Sequence, residues 1–325
     1  MKATLRYLAK AACAAAAIYL TGVSPALSQD KTIRLIVPFA PGGGVDVVTR
    51  LAADNLRQQW PDRQVIVENK PGGNTIIGVQ SLLSAPKDGS NFLVTISSTL
   101  LLPHLMADLS FDPSTDLVPV SPLTSEQMVV VTSSTSGIKT LHDFVEQAKR
   151  PDAKLSYGSY ATGSISHLLY HELDKMSGGG IVHIPYKGVA PTSLAVLSNE
   201  VTAGMTNLVP VRQHIESGKL IALAVTGPAR SPYLPNVPTI SEQGIKGFES
   251  PSWIGVFAAR GVPDDVLQTV GQSFLAASRS PELVAKMKDL GADAGTMDVA
   301  EFVEVVRRDK QNLGKKIDDA GIRLK

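Results

Sequence analysis

The stretch Ile33-Arg34-Leu35-Ile36-Val37-Pro38-Phe39-Ala40-Pro41-Gly42-Gly43-Gly44-Val45-Asp46 decides the fold. Its first residues form a β-branched run that reads as a buried strand, and the run breaks at Pro38 and Pro41 into three consecutive glycines. Val45, Val48, Leu51, Ala52 and Leu56 then recur at helical spacing, so an amphipathic helix follows. A strand, a glycine turn and a helix start aim free backbone N–H groups at one point. With the positive end of the helix dipole they make a seat for an anion. The same residues are equally consistent with a tight strand-to-helix turn that holds no ligand.

Upstream, Lys2, Arg6 and Lys10 precede an Ala-rich apolar run from Ala11 to Leu20, and a polar stretch then ends in Ala26-Leu27-Ser28. This is the pattern of a secretory signal over residues 1–28, with cleavage expected after Ser28. The run is short of the ~20 apolar residues that a bilayer-spanning helix needs. The single cysteine, Cys13, lies inside it with Lys10 three residues before, which is not a lipoprotein signal. The mature chain therefore has no disulfide, and ~300 residues bury ample core without one. Without the three basic residues of the leader, 28 Lys and Arg face 30 Asp and Glu, a net charge of −2. No block of like charge appears, whereas nucleic acid demands a clustered basic face. The expectation is an exported, periplasmic monomer with no nucleic-acid partner and no membrane span.

Strand patterns at 32–39, 64–68, 91–96, 128–132, 154–158, 181–185, 220–226 and 253–258 alternate with helical ones. The helical patterns fall at 46–59, 76–84, 141–150, 165–177, 191–198, 210–217, 264–279, 281–290 and 299–320. Such alternation predicts an α/β protein with largely parallel sheets. At this length two domains are favoured over one. The Pro-rich stretches 112–122 and 228–238 are the expected crossings, giving domain 1 as 29–122 with 235–325 and domain 2 as 123–234.

A second turn reads Tyr157-Gly158-Ser159-Tyr160-Ala161-Thr162-Gly163-Ser164-Ile165-Ser166-His167. Gly158 and Gly163 permit unusual backbone angles, Ser164 can cap the following helix, and Ser159, Thr162 and Ser164 add hydroxyl donors. A carboxylate held there would gain about 1.5–3 kcal/mol from each charge-assisted hydrogen bond. A capped helix start without a ligand is the commoner use of such a turn.

These turns belong to a longer set of segments: Val37–Gly43, Val67-Glu68-Asn69-Lys70-Pro71-Gly72, Tyr157-Gly158-Ser159, Gly163-Ser164, His167-Leu168, His183-Ile184-Pro185-Tyr186-Lys187-Gly188, Ala224-Val225-Thr226 and Val237-Pro238-Thr239. From about Lys31 to the C-terminus, in this order, the set resembles the Bug family, the periplasmic solute-binding receptors of tripartite tricarboxylate transporters. The resemblance implies a two-domain periplasmic-binding-protein fold of the type II-like, Venus-flytrap kind. The chain would cross twice between the domains, and a ligand carboxylate would be held by both glycine turns. It implies Phe39, Gly42, Gly43 and Gly44, with Ser97 and Ser98, on the first side of the cleft. On the second side it implies Ser159, Thr162, Gly163, Ser164 and His167, and Tyr160 and Thr206 join the candidate ligand-binding residues as departures from the family pattern. It implies no metal and no cofactor, with membrane permease subunits as partners.

The chain departs from the family pattern in places that bear on the ligand. Val45 stands where a Thr or Ser is common, Tyr160-Ala161-Thr162 replaces the middle of Gly-Ser-Ser-Gly-Asn-Gly-Ser, and Gly73-Asn74-Thr75-Ile76 alters the third loop. Thr206 stands where many members carry an aspartate able to pair with an amine, which disfavours amino acids. Val45, Tyr160 and Ile76 favour a hydrophobic or aromatic carboxylate over a polycarboxylate.

Catalytic patterns are weaker. His167 and His171 share a helix with Glu172, but a zinc protease needs the glutamate directly after the first histidine, where Leu168 stands. There is no Gly-x-Ser-x-Gly elbow, no Gly-Lys-Ser/Thr after the glycine run and no third glycine of a dinucleotide fingerprint. The chain reads as a non-enzymatic receptor for a small carboxylate. A receptor feeding a two-component sensor, and less readily an exported carboxylate-processing enzyme, are the alternatives.

Overall fold

The computed structural model describes residues 32–249, 252–290 and 293–323; the expected leader and Cys13 lie outside the described residues. The β-branched run forms β1 (Thr32–Val37), with Ile33, Leu35, Ile36 and Val37 buried on both of its faces, as a parallel strand covered on two sides requires. Then α1 (Gly44–Gln59) starts two residues ahead of the predicted point and leads to β2 (Gln64–Asn69), parallel to β1 with Gln64 opposite Thr32. On the other side of β1, α2 (Ile76–Leu83) precedes β3 (Asn91–Thr95), also parallel. Short helical turns at Ser97–Leu100 and Leu102–Leu105 lead on towards β4 (Leu117–Glu126).

Beyond Gln127 come β5 (Met128–Ser133), α3 (Leu141–Ala148), β6 (Leu155–Ser159), α4 (Ile165–Ser177), β7 (Ile181–Pro185), α5 (Val189–Leu197), β8 (Ala203–Asn207) and β9 (Leu220–Val225). The chain ends through β10 (Ser252–Ala259), α6 (Asp264–Ser278), α7 (Pro281–Leu290), β11 (Asp293–Ala294) and α8 (Val299–Asp319). Among the described residues the strands form a six-stranded sheet in the order β11-β4-β10-β3-β1-β2 and a five-stranded one in the order β7-β6-β8-β5-β9.

The expected α/β class holds, but the sheets are mixed instead of largely parallel. In the first, β10 runs antiparallel to both β3 and β4; in the second, β5 runs antiparallel to both β8 and β9. These are the strands by which the chain enters each sheet from the other, so no βα crossover sets their direction.

Periodicity missed β4, β8 and the two-residue β11. Part of β4 lies in the Pro-rich stretch 112–122, expected as a crossing. Its Pro119 and Pro122 stand at register shifts opposite Phe257 and Gly255, the bulged positions at which a sheet tolerates a residue lacking N–H. In β8 the sequence Ala-Gly-Met-Thr-Asn has little β propensity. Its Gly204 is required by packing, since a Cβ there would lie 3.0 Å from the Gly158 carbonyl oxygen.

The chain changes sheet at Gln127 and returns between β9 and β10. The Gln127 amide donates to the carbonyls of Thr226 and Ala229, each at 2.6 Å, and Met128 N–H donates to Thr226 Oγ1 at 2.8 Å. Helix α8 serves both sheets. Its Phe302 and Val305 pack with Trp253 and Phe257, while Leu313 and Ile317 join the core formed by Leu105, Ile165 and Leu169.

Candidate ligand-binding site

A cavity of about 250 Å³ opens between the two sheets. The loop after β1 and the start of α1 supply Phe39, Pro41, Gly43, Gly44 and Val45 to its wall, and Asn74, Thr75 and Ser98 stand beside them. Tyr160, Ala161 and the run Lys187 to Pro191 face them from the other sheet, with Glu126, Met128, Asn207 and Ile254 between. A smaller space of about 80 Å³ adjoins it, sharing Gly43, Gly44, Glu126 and Asn207 and adding Gly42.

Two helices begin at this cavity, α1 and α5. Their N-cap residues are Gly43 and Gly188, and neither has a side chain to accept from the first-turn N–H groups. Those groups have no partner inside a helix, and the helix dipoles add positive potential at both ends. Asp46 does not oppose an anion here. Its carboxylate accepts from Gly42 N–H at 2.9 Å, from Arg50 Nε at 3.0 Å and from Asn69 Nδ2 at 2.9 Å. Burial pushes this carboxyl up, but the bonds from Arg50, Gly42 and Asn69 together hold it below its ordinary value.

The turn before α4 is built differently. Ser164 Oγ accepts from His167 N–H at 3.3 Å and donates to the Ala161 carbonyl at 2.7 Å, so the helix caps itself. Gly163 N–H donates to His167 Nδ1 at 3.0 Å, and Ser159 Oγ meets His183 Nε2 at 2.7 Å. The His167 and His183 rings stack at 4.0 Å, with Tyr170 4.6 Å from His183. Burial lowers His167 to about 3, helped by the neighbouring His183 and His171, and lowers His183 to about 4. Both rings are therefore neutral near pH 7. Gly163, at φ +75°, lies against Leu105, whose Cδ1 would be 2.4 Å from an added Cβ.

Of the residues singled out in the sequence, Phe39, Gly43, Gly44, Ser98 and Tyr160 line the larger cavity and Gly42 the smaller one. Ser97, Ser159, Thr162, Gly163, Ser164, His167 and Thr206 line neither. Thr206 turns its hydroxyl to Ser193 Oγ at 2.7 Å, and strand alternation puts its neighbour Asn207 in the cavity instead. Tyr160 is buried; its hydroxyl turns to Ser164 and the backbone of Ile165 and Ser166, and burial pushes its phenol up.

Residues that sequence reasoning passed over complete the wall. Lys187 and Gly188 belong to the segment His183–Gly188 that carries the family resemblance, but neither is among the site residues it implies. Glu126 ends a strand that the prolines disguised. Thr75 is a bulky residue at φ +83°, only 5% exposed, and its Oγ1 has no hydrogen-bond partner among the described residues. A β-branched residue in the left-handed region is strained, and such strain concentrates at functional sites. Among the described residues no group of three His, Cys, Asp or Glu could hold a metal ion, and no helix is long and apolar enough to cross a membrane.

The sequence profile described as "Tripartite tricarboxylate transporter family receptor" matches residues 48–322. The chain belongs to this receptor family. Protein BugT of Bordetella pertussis is 31% identical over 281 residues, covering 85% of this chain and 86% of that one. The solved periplasmic binding protein BugD is 29% identical with a TM-score of 0.80, covering 90% of this chain and 99% of that one. An R. palustris protein solved with adipate is 28% identical with a TM-score of 0.81, over 90% of this chain and 98% of that one. The two-sheet α/β architecture of the receptor family is thus the architecture seen here.

Proposed function

We propose that the protein is a periplasmic solute receptor, without catalytic activity, that captures a small organic carboxylate between two domains. It delivers that carboxylate to the membrane permease of a tripartite tricarboxylate transporter. The observation that carries this reading is the convergence of two glycine-capped helix N-termini on one cavity. Backbone N–H groups and dipoles aimed together suit a carboxylate and need no cofactor. The adipate in the R. palustris relative supports the ligand class.

The body of the ligand meets Phe39, Val45, Ile96, Met128, Val189 and Ile254, which supports an apolar or aromatic carboxylate. An apolar cavity of about 150 Å³ holds benzene. A space of about 250 Å³ therefore admits a benzoate-sized acid or a six-carbon diacid. Export by the leader at 1–28 and a monomeric state are part of the same proposal. So is the division into 29–122 with 235–325 and 123–234, its first boundary moved to Gln127 where the chain changes sheet. The Gln127, Thr226 and Ala229 hydrogen bonds tie the two chain passages together, a suitable hinge for closure.

Thermal-shift screening of the mature protein against aliphatic and aromatic mono-, di- and tricarboxylates, with amino acids included, tests this. A ligand at 100 times its dissociation constant stabilises the fold by about 2.7 kcal/mol. Hits among apolar or aromatic carboxylates are expected. A best hit among amino acids or citrate keeps the receptor and overturns the apolar reading of the cavity, and no carboxylate hit at all overturns the carboxylate reading in favour of another class of ligand or an enzyme.

A further inference from the structure

Glu126 ends β4 with its side chain in the floor of the cavity, 8% exposed, among groups arranged to attract an anion. Asn207 Nδ2 donates to its Oε1, and Oε2 has no hydrogen bond among the described residues. The titratable groups facing it are Tyr160 and Lys187 across the larger cavity, with Tyr233 and Asp293 across a small void on its other side. Tyr233 Oη donates to Asp293 Oδ1 at 3.0 Å, so these two answer each other. Burial pushes Tyr160 up, and burial with the bond to Asp293 pushes Tyr233 up to about 12, so both phenols stay neutral. No salt bridge to Glu126 forms among the described residues, and Lys187 is itself exposed. Burial therefore pushes the Glu126 carboxyl up to about 7, against the opposing hydrogen bond from Asn207.

An ionised Glu126 and a ligand carboxylate in this one cavity would repel each other, and the burial of Glu126 limits the screening that water gives. We propose that Glu126 takes part in ligand recognition as a neutral carboxylic acid, donating from Oε2 to a carboxylate oxygen of the ligand. Above pH ~7, where Glu126 would otherwise ionise, capture of the anion then takes up a proton from solvent. The Asn207 amide supports this arrangement by engaging Oε1 as an acceptor, which leaves the proton to Oε2. An O–H···O⁻ bond of this kind belongs to the strong, short class. The inference rests on the carboxylate reading of the cavity and adds to it a residue that selects for anions at the acid side of neutrality.

Isothermal titration of the mature protein with adipate and with benzoate, from pH 6 to 9 in two buffers of different ionisation enthalpy, tests it. Affinity is expected to be level below pH ~7 and to fall about tenfold per pH unit above it. Proton uptake should rise from about half a proton at pH 7 towards one at pH 9. Glu126→Gln retains a donor but cannot titrate, and is expected to bind without pH dependence or proton uptake. If that variant does not fold, the proton count of the unmodified protein decides alone. Carboxylates that bind at pH 8–9 with no proton uptake overturn the inference and leave the receptor reading standing. Tighter binding of amine-bearing probes such as β-alanine, strengthening as pH rises, overturns it in favour of an ionised Glu126. Failure of every carboxylate at every pH overturns both.

Discussion

The start of α1 and the start of α4 look alike in sequence, each a strand followed by glycines and small residues, yet they dispose of their hydrogen-bond donors in opposite ways. Gly43 leaves the first turn of α1 uncapped beside the cavity, whereas Ser164, Ser159 and His167 satisfy the turn before α4 from within. The start of α5 resembles α1, with Gly188 as its cap. A hydroxyl at the cap position stabilises a helix by claiming its N–H groups, and the same claim removes them from a ligand. Glycine without a neighbouring acceptor is the better mark of an anion seat.

The largest expected effect comes from filling the uncapped seat. A Cβ on Gly44 meets nothing within 4 Å, so Gly44→Val should fold while its side chain screens the N–H groups of α1. Carboxylate affinity should fall on the order of 100-fold, equivalent to about 2.7 kcal/mol. Calorimetric titration beside a thermal melt checks both halves. At the other turn Gly163→Ala should do the reverse. Its Cβ would press on Leu105 at 2.4 Å in a backbone of φ +75°, costing about 1–3 kcal/mol of stability. Affinity in the folded fraction should hold within about twofold. A variant that folds normally but binds no carboxylate would break the comparison.

Acid separates the same regions. His167 and His183 sit below their ordinary value of 6.5 in the folded protein, at about 3 and about 4. The stability that their neutral stack contributes is present above pH ~6.5 and is lost as pH falls through the folded values. Glu126, raised to about 7, works oppositely: it disfavours the folded state as pH rises from its ordinary 4.5 towards 7. Urea midpoints from pH 3.5 to 7 should therefore decline on the acid side, and His183→Gln, which cannot titrate, should flatten that decline. An unchanged slope would detach the stack from acid stability.

The strands from β1 to β3 and the helices α1 and α4 were legible because runs of β-branched residues and 3.6-residue periodicity report burial directly. What escaped depends on partners distant in sequence. Pro119 and Pro122 read as linker because nothing local reveals the bulges that seat them in β4. Glu126 was hidden with that strand, and the choice between Thr206 and Asn207 required knowing which face of β8 meets the cavity. Local sequence identified both glycine turns, but not that one would be closed by a histidine from β7.

The smallest effects form the sharpest test, because they should cross. Ser164→Ala removes the α4 cap, which costs about 1 kcal/mol of stability. Its cost in affinity should be negligible, since Ser164, Ile165, Ser166 and His167 line neither of the two spaces at the candidate site. Lys187→Met removes an exposed charge from the cavity rim beside Gly188 and leaves the packing intact. Exposed pairs contribute about 0.2–1 kcal/mol, so affinity should weaken by about two- to fivefold at low salt and less at high salt, with no change in the melt. If Ser164→Ala weakens binding as much as Lys187→Met, the turn before α4 donates to the ligand after all. Ligand binding would then have to rearrange the internal hydrogen bonds of that turn. If each variant moves only its own observable, the anion seat lies at the starts of α1 and α5, and the turn before α4 braces the wall behind Tyr160.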